Sequence, residues 1–304
     1  MTLFEKLFID GTWHIAFRRR PWSWPVDYDI PFQEIKGEKG FWYADPLPFD
    51  YKGEVFLFCE AFNEKRQAGE IAVFTFDGQN WVNPRVIISE NYHMSYPCVF
   101  SYGDDVYMIP ESQEARTLEL YKADRFPYKW SKVTNLLNNV VLADPTVWQY
   151  NGIYYMVCYK NIKPFSLQLY QLDLSKLGLK LINELSYEAN TGRPAGRLIS
   201  YNNGLLRPSQ DCREMYGRSV IWNYITIDGS DIKESTILRT VNSNINIENL
   251  PYMGVDRVHT FSVSEVGGIE FIDYNIHSFS LFKRFRILWR RYKRLKREKE
   301  NSTK

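Results

Sequence analysis

Apolar and polar positions alternate along this chain in short runs, and a polar–proline step interrupts them at near-regular intervals. The steps are Asp45-Pro46, Tyr96-Pro97, Asp144-Pro145 and Arg193-Pro194, with the prolines 51, 48 and 49 residues apart. Each opens a segment made of an apolar run, a turn and a second apolar or aromatic run: PLPFDYKGEVFLFCE, PCVFSYGDDVYMIPE, PTVWQYNGIYYMVCY and PAGRLISYNNGLLRP. Runs this short, rich in Val, Ile, Phe and Tyr and bounded by Gly or Asn, read as strands joined by tight turns. A strand-built repeat of about fifty residues predicts a β-propeller with one four-stranded sheet per repeat.

Blade one is expected over residues 42–89, blade two over 95–137, blade three from Asp144 and blade four from Arg193. A less regular fifth unit, HTFSVSEVGGIEFIDY, turns at Gly267-Gly268. It offers only two or three strands, and the strand GTWHIAFRRR at residues 11–20 has no hairpin partner nearby. Joining the two closes the ring and removes exposed sheet edges. Five blades are the preferred count, with four plus an extra hairpin as the alternative. Residues 1–10 read as a short apolar lead-in.

Composition agrees with this fold class. Aromatic residues make up 16% of the 304 residues, which suits strands packed face to face. There is no run of 18 apolar residues to cross a bilayer, and the start MTLFEKLFIDGTW lacks the features of a signal peptide. Cys59, Cys98, Cys158 and Cys212 are widely spaced without a CxxC pair. They are expected as reduced thiols of a cytoplasmic protein, with no metal and no cofactor implied. Cys59 and Cys158 each lie 13 residues after a repeat proline, the mark of a shared buried strand position.

The blade geometry brings ionisable side chains together. A residue just before the first strand and a residue ending the second lie at the same end of an antiparallel pair. Asp45 pairs in this way with Glu60, Tyr96 with Glu111, and Asp144 with Tyr159; Glu60 and Glu111 both fall 14 residues after their proline. Blade four contributes Arg193 and the return segment Arg207 to Asp211, including Gln210. All converge on one mouth of the axis, where Asp45, Asp144, Glu60 and Glu111 are the candidate catalytic groups. Trp42, Tyr96, Tyr159, Arg193, Arg197, Arg207, Gln210, Asp211 and His259 are the candidate substrate-binding groups. Competing structural readings exist for each. Asp before Pro is a common turn residue, the glutamates could be buried partners of Arg193, Arg197 or Arg207, His259 could be a core histidine, and the aromatics could simply pack. Several carboxylates at one pocket suit glycosidic chemistry, in which one group protonates a leaving oxygen and another takes a proton or steadies positive charge. Arginines suit a phosphate-bearing leaving group.

At these residues the chain resembles a known family. ADPLPF, HMSYPCVF, YMIPES, LADPTVW, GRPAGRLI and RPSQDCREMYG are similar to the propeller-like N-terminal region of plant glucosamine inositolphosphorylceramide transferases and its bacterial homologues, over most of Trp13 to Tyr274. More distantly the chain resembles five-bladed furanosidases and fructosidases, whose carboxylates sit at blade starts; Asp45 and Asp144 match two such positions. Blade four begins with Arg193, where those hydrolases offer an acid glutamate. That departure points away from simple hydrolysis and moves an acid role to Glu60, Glu111 or Asp211. The resemblance implies a role in glycan or glycolipid assembly, and it is to the region that precedes the glycosyltransferase domain of the plant proteins.

Charge separates the body from the tail. Residues 283–304 hold 11 of the 38 Lys and Arg and two of the 36 acids, so residues 1–282 carry a net charge of about −7. Apolar residues at 281, 285, 288, 292 and 295 form one helical stripe within the basic run. The reading is therefore an all-β, five-bladed β-propeller over residues 1–278 and a basic amphipathic C-terminal helix over 279–304. The helix suits an anionic membrane surface, through Leu281 to Lys299, on the inner face of the membrane. The alternative is that it packs on the propeller; a nucleic-acid partner is not expected. The function expected is a membrane-peripheral glycosyltransferase of surface-polysaccharide or glycolipid assembly, acting on a glycan or activated sugar. A glycoside hydrolase and a non-catalytic glycan-binding scaffold for a partner transferase are the alternatives.

Overall fold

The computed structural model describes residues 9–21, 23–27, 30–228, 231–240, 245–250, 255–264 and 266–279, and in the tail 285, 288, 289, 292, 293, 295 and 296. These residues form five four-stranded antiparallel sheets arranged as a propeller. Blade one comprises β3 (Phe41–Tyr51), β4 (Glu54–Asn63), β5 (Ala68–Phe76) and β6 (Trp81–Ile88). Blade two comprises β7 (Ser95–Tyr102), β8 (Asp105–Glu111), β9 (Thr117–Arg125) and β10 (Lys129–Asn138). Blade three runs through β11 (Leu142–Tyr150), β12 (Ile153–Lys160), β13 (Phe165–Asp173) and β14 (Gly178–Tyr187). Blade four has β15 (Ile199–Tyr201), β16 (Gly204–Asp211), β17 (Ser219–Asp228) and β18 (Asp231–Arg239).

The fifth blade closes the ring. Its order is β19 (Phe261–Ser264), β20 (Ile269–Phe279), β1 (Ile9–Arg19) and β2 (Gln33–Ile35), so the chain start supplies its two outer strands. β1 pairs with β20 along its whole length, from Ile9 opposite Phe279 to Arg19 opposite Ile269. Inside this blade Arg18 and Glu270 form a buried ion pair at 2.5 Å.

Turn chemistry follows the sequence. Lys52-Gly53 and Asn151-Gly152 both take positive φ at each position, which produces the two-residue hairpin turns between Tyr51 and Glu54 and between Tyr150 and Ile153. Packing lies between neighbouring blades. Phe58 and Phe49 of blade one meet Val99 and Met108 of blade two, and Cys98 and Ile109 meet Met156 and Cys158 of blade three. Val157 and Leu167 meet Leu205 and Ile225 of blade four, and Leu206 and Trp222 meet Phe261 and Ile272 of blade five. Phe17 and Phe271 complete the circle against Leu57 and Phe74. Cys59 and Cys158 are buried free thiols, as their shared offset required; Cys98 is buried as well, and Cys212 is half-buried.

The polar–proline step is a bulge. Ala44 pairs with Glu60 and Leu47 with Phe58, leaving Asp45 and Pro46 out of register. The same slip separates Ser95 from Cys98 and Ala143 from Thr146. Proline has no N–H to give a ladder, and the residue before it turns left-handed: φ is 51° at Asp45, 46° at Tyr96 and 51° at Asp144. Each such residue costs about 1–2 kcal/mol. The freed N–H groups are taken by carboxylates. Asp45 donates to Asp273 Oδ2 at 3.0 Å, Tyr96 to Asp45 Oδ2 at 3.2 Å and Asp144 to Glu111 Oε2 at 3.3 Å. Each link runs from one blade to the blade before it, so the carboxylates latch the ring around its axis.

Blade four departs from this pattern. Its first strand is only three residues long, and Pro194 makes a single bridge to Ser209. Arg193 does not take the left-handed turn of its counterparts. The lead-in expected over residues 1–10 lies outside the described residues apart from Ile9 and Asp10. The helix expected over 279–304 also lies largely outside them. The described apolar residues of that stretch, Phe285, Leu288, Trp289, Tyr292 and Leu295, are exposed.

Candidate functional site

The axial end formed by the blade starts holds five buried carboxylates, Asp45, Glu60, Glu111, Asp144 and Asp273, with Arg193, Gln210 and His259 among them. They divide into two halves. In the first, Arg193 donates to Asp144 through Nε at 2.5 Å and Nη2 at 2.9 Å, and to Glu111 Oε2 at 2.9 Å. Gln210 adds a bond from Nε2 to Asp144 Oδ2 at 2.9 Å. Every carboxylate here has a guanidinium against it. Burial raises the proton affinity of Glu111, Arg193 pulls it down, and the neighbouring charge of Asp144 raises it again.

The second half centres on Asp45. Its Oδ2 accepts the Tyr96 N–H, its Oδ1 accepts the Thr260 hydroxyl at 3.0 Å, and His259 Nε2 stands 3.9 Å from Oδ1. Burial lifts Asp45 to about 6, against the pull of His259 and with the push of Asp144 and Asp273. Glu60 rises well above the usual carboxylate range because it is buried and faces the charges of Asp45, Glu111 and Asp273. Its Oε1 has no hydrogen-bond partner among the described residues, and His93 Nε2 lies 3.5 Å away. His259 moves up: burial works against its charge, but the charge and hydrogen bond of Asp273, helped by Asp45, outweigh it. Asp45, His259 and Asp273 come close enough to suggest a metal cage. Asp273 already accepts four donors, so the group is built as a hydrogen-bonded array.

The end is roofed. Tyr216, in the turn between β16 and β17, is 44% exposed and lies over the Arg193 guanidinium at 5.2 Å. Its ring also meets His259 edge-on at 5.2 Å and Trp13 at 6.4 Å. Trp13 stacks on His259 at 4.0 Å. Gly217 seats the turn: a Cβ there would fall 2.7 Å from the Cβ of His259.

Of the sequence-predicted residues, Asp45, Glu60, Glu111, Asp144, Arg193, Gln210 and His259 are brought together. The others are placed differently. Tyr96 is fully buried, its hydroxyl bonded to Thr146 and to the Gly196 backbone, so it offers no sugar-stacking face. Tyr159 packs between blades three and four against Phe165 and Tyr187. Arg207 is buried on Glu234 and the Gly192 carbonyl. Arg197 bonds the Val99 carbonyl and lies over Phe49, further along the strands from the carboxylates. Asp211 is held by Arg213 and Arg239, and the Arg213 bond keeps it below the usual range, which removes it as a proton donor. Trp42 is half-buried and stacked on Phe62.

Sequence reasoning missed Asp273, Thr260, Trp13 and Tyr216. Asp273 was discoverable: it follows His259 by 14 residues, the offset that separates Glu60 and Glu111 from their prolines, and with Glu270 it is one of two acids inside the apolar run IEFIDY. Tyr216 carried no periodic signal because it belongs to a turn.

The family described as "Glucosamine inositolphosphorylceramide transferase 1, N-terminal" matches residues 20–274. The chain is similar to glucosamine inositolphosphorylceramide transferase 1 of Oryza sativa subsp. indica, 28% identical over 212 residues that make up 65% of this chain and 28% of that protein. It is similar also to glucosamine inositolphosphorylceramide transferase 1 of Arabidopsis thaliana, 27% identical over 272 residues, 84% of this chain and 35% of that protein. The chain thus spans about a third of these curated relatives. Among solved structures, the alpha-L-arabinofuranosidase PaAbf62A from Podospora anserina superposes with a TM-score of 0.56 at 9% identity, covering 89% of this chain and 98% of that one. This likeness is one of fold.

Proposed function

Because the chain belongs to the family of the N-terminal region of glucosamine inositolphosphorylceramide transferase 1, we propose that it is a carbohydrate-active protein of glycolipid or surface-polysaccharide assembly, and that its axial carboxylates serve glycosyl transfer. The observation that carries this reading is the unequal environment of Asp45 and Glu60. Two carboxylates whose surroundings separate their protonation states form an acid and base pair. Asp45 is lifted to about 6, and Glu60 is held well above the usual carboxylate range by its burial and by the charges of Asp45, Glu111 and Asp273, which makes Asp45 the base and Glu60 the acid of the pair.

In the proposed reaction an acceptor hydroxyl enters between Asp45 Oδ1 and His259 Nε2, whose 3.9 Å separation lets one oxygen approach both. Asp45 takes the hydroxyl proton as the acceptor oxygen bonds to the anomeric carbon. Glu60 gives its proton to the oxygen leaving that carbon. Arg193 and Gln210 hold Asp144 and Glu111 in place and set the charge of the wall. That arrangement disfavours the hydrolytic alternative, since Asp144 is occupied by Arg193 instead of facing water.

The exposed apolar residues of the basic tail support a second element of the proposal, attachment to an anionic membrane surface where lipid-linked substrates lie. The experiment for the catalytic reading incubates the full chain with activated sugars and a membrane lipid extract and follows glycolipid products by mass spectrometry. Loss of a positioned acid or base costs about 10²- to 10⁴-fold, so Asp45→Asn and Glu60→Gln should each lower product by that order. Turnover that is equal in both variants and the parent removes the assignment. A chain that binds sugar yet forms no product from any donor supports the scaffold reading, in which transfer belongs to the part of the relatives that lies beyond the match.

A further inference from the structure

We propose that Asp273 is the positioning residue of this site, the group that fixes His259 toward Asp45 and holds Asp45 in its left-handed turn. No chemistry reaches Asp273 directly. It is fully buried, and its four hydrogen bonds account for both oxygens. Oδ1 accepts the backbone N–H groups of His259 at 3.0 Å and Thr260 at 2.9 Å. Oδ2 accepts the backbone N–H of Asp45 at 3.0 Å and faces His259 Nδ1 at 2.5 Å.

A carboxylate can only accept, so the proton on this side of the ring belongs to Nδ1. That leaves Nε2 pointing to Asp45 Oδ1. A carboxylate behind an imidazole sets its orientation and stabilises its charged form. The bond to the Asp45 N–H serves the other partner. Asp45 sits at a strained φ of 51°, and a charge-assisted bond to its amide offsets that cost. One buried side chain on β20 therefore positions a residue of blade one and a residue preceding β19. The remaining groups facing the His259 ring are Asp45, Arg193, the Tyr216 ring, the Trp13 ring and the Thr260 hydroxyl.

The role of this array in a sugar reaction rests on the function proposed above, but the linkage from Asp273 to His259 can be tested without any substrate. The full chain, labelled with ¹⁵N in its histidine rings, is titrated by NMR as the parent, Asp273→Asn and His259→Gln; the last assigns the signal among the four histidines. In the parent, His259 should carry a hydrogen-bonded Nδ1 proton, shifted downfield, and should titrate above the ordinary histidine value. In Asp273→Asn the titration midpoint should fall by at least tenfold in proton affinity and the downfield proton should vanish. A packing role alone would lower the melting temperature and leave the midpoint in place, which overturns the proposal. Should the variant not fold, the parent spectrum decides: a His259 ring without a proton on Nδ1 overturns it, and a downfield Nδ1 proton sustains it. Asp45→Asn is the companion variant, expected to lower the midpoint less, because Asp45 lies 3.9 Å from the ring and Asp273 2.5 Å. These outcomes are independent of whether the chain transfers sugar.

Discussion

Glu60 shows most plainly what burial does to a side chain in this ring. It is enclosed, it faces three other carboxylates, and one of its oxygens is unbonded among the described residues. A carboxyl whose folded proton affinity is raised binds more protons in the native state than in the unfolded one, so its contribution to stability is lost as pH rises. For Asp45 the window runs from its ordinary 3.8 to about 6. His259, also raised, contributes stability below its ordinary 6.5 that fades as pH climbs through its higher folded value. All three groups make the native state weaker toward alkaline pH. Glutamine imitates the neutral form of Glu60, so Glu60→Gln should gain on the parent in melting temperature as pH is raised from about 5 to about 8. Thermal denaturation at several pH values checks this, and a difference that stays constant across that range would show that Glu60 is ionised in the fold.

The β-bulge is the element that turns a sequence repeat into a site. Its legibility came from proline: because proline cannot join a ladder, a polar–proline step every fifty residues marked both the start of a blade and the place where a side chain leaves the sheet. Asp45 and Asp144 were found in this way, and Glu60 and Glu111 by their common offset. A buried pair between Glu111 and Arg193 was one of the competing readings, and the structure shows it, but the reach of Arg193 to Asp144 was not legible, since a guanidinium at a blade start specifies no single partner until the blades are closed. Arg207 and Arg197 were misplaced for the same reason, their stems leading to the blade interface and to a strand carbonyl. The turn that carries Tyr216 was invisible to periodicity, yet it covers the site. Tyr216→Ala should expose His259, and its modification by diethylpyrocarbonate should become several-fold faster than in the parent. An unchanged rate would mean that another group is the roof. The closing strand permits a separate test of the ring. Ile15 on β1 is fully buried, and Ile15→Ala should cost about 2–5 kcal/mol in a single urea transition, because the ring has no free edge at which to part.

At the scale of the whole molecule, an acidic body carries a basic, aromatic tail. Phe285, Leu288, Trp289, Tyr292 and Leu295 are exposed beside Lys293 and Lys296. Each basic residue near an anionic surface contributes about 1 kcal/mol. Full-length protein should therefore float with phosphatidylserine vesicles at low salt and be released at high salt, while a chain ending before Leu281 should stay in solution. Equal flotation of the two would place any membrane contact on the propeller. The axial end remains the centre of the account: carboxylates latch blades one to three to their neighbours, and in the reading proposed above Asp45, Glu60 and His259 are the groups that meet a sugar. Saturation-transfer NMR with a panel of nucleotide-activated sugars and methyl glycosides tests this most directly, on the parent, on an Asp45→Asn/Glu60→Gln double variant and on Lys180→Ala at an exposed position of β14. The account predicts transfer to at least one sugar in the parent and in Lys180→Ala and its loss in the double variant. Undiminished transfer in the double variant would contradict it.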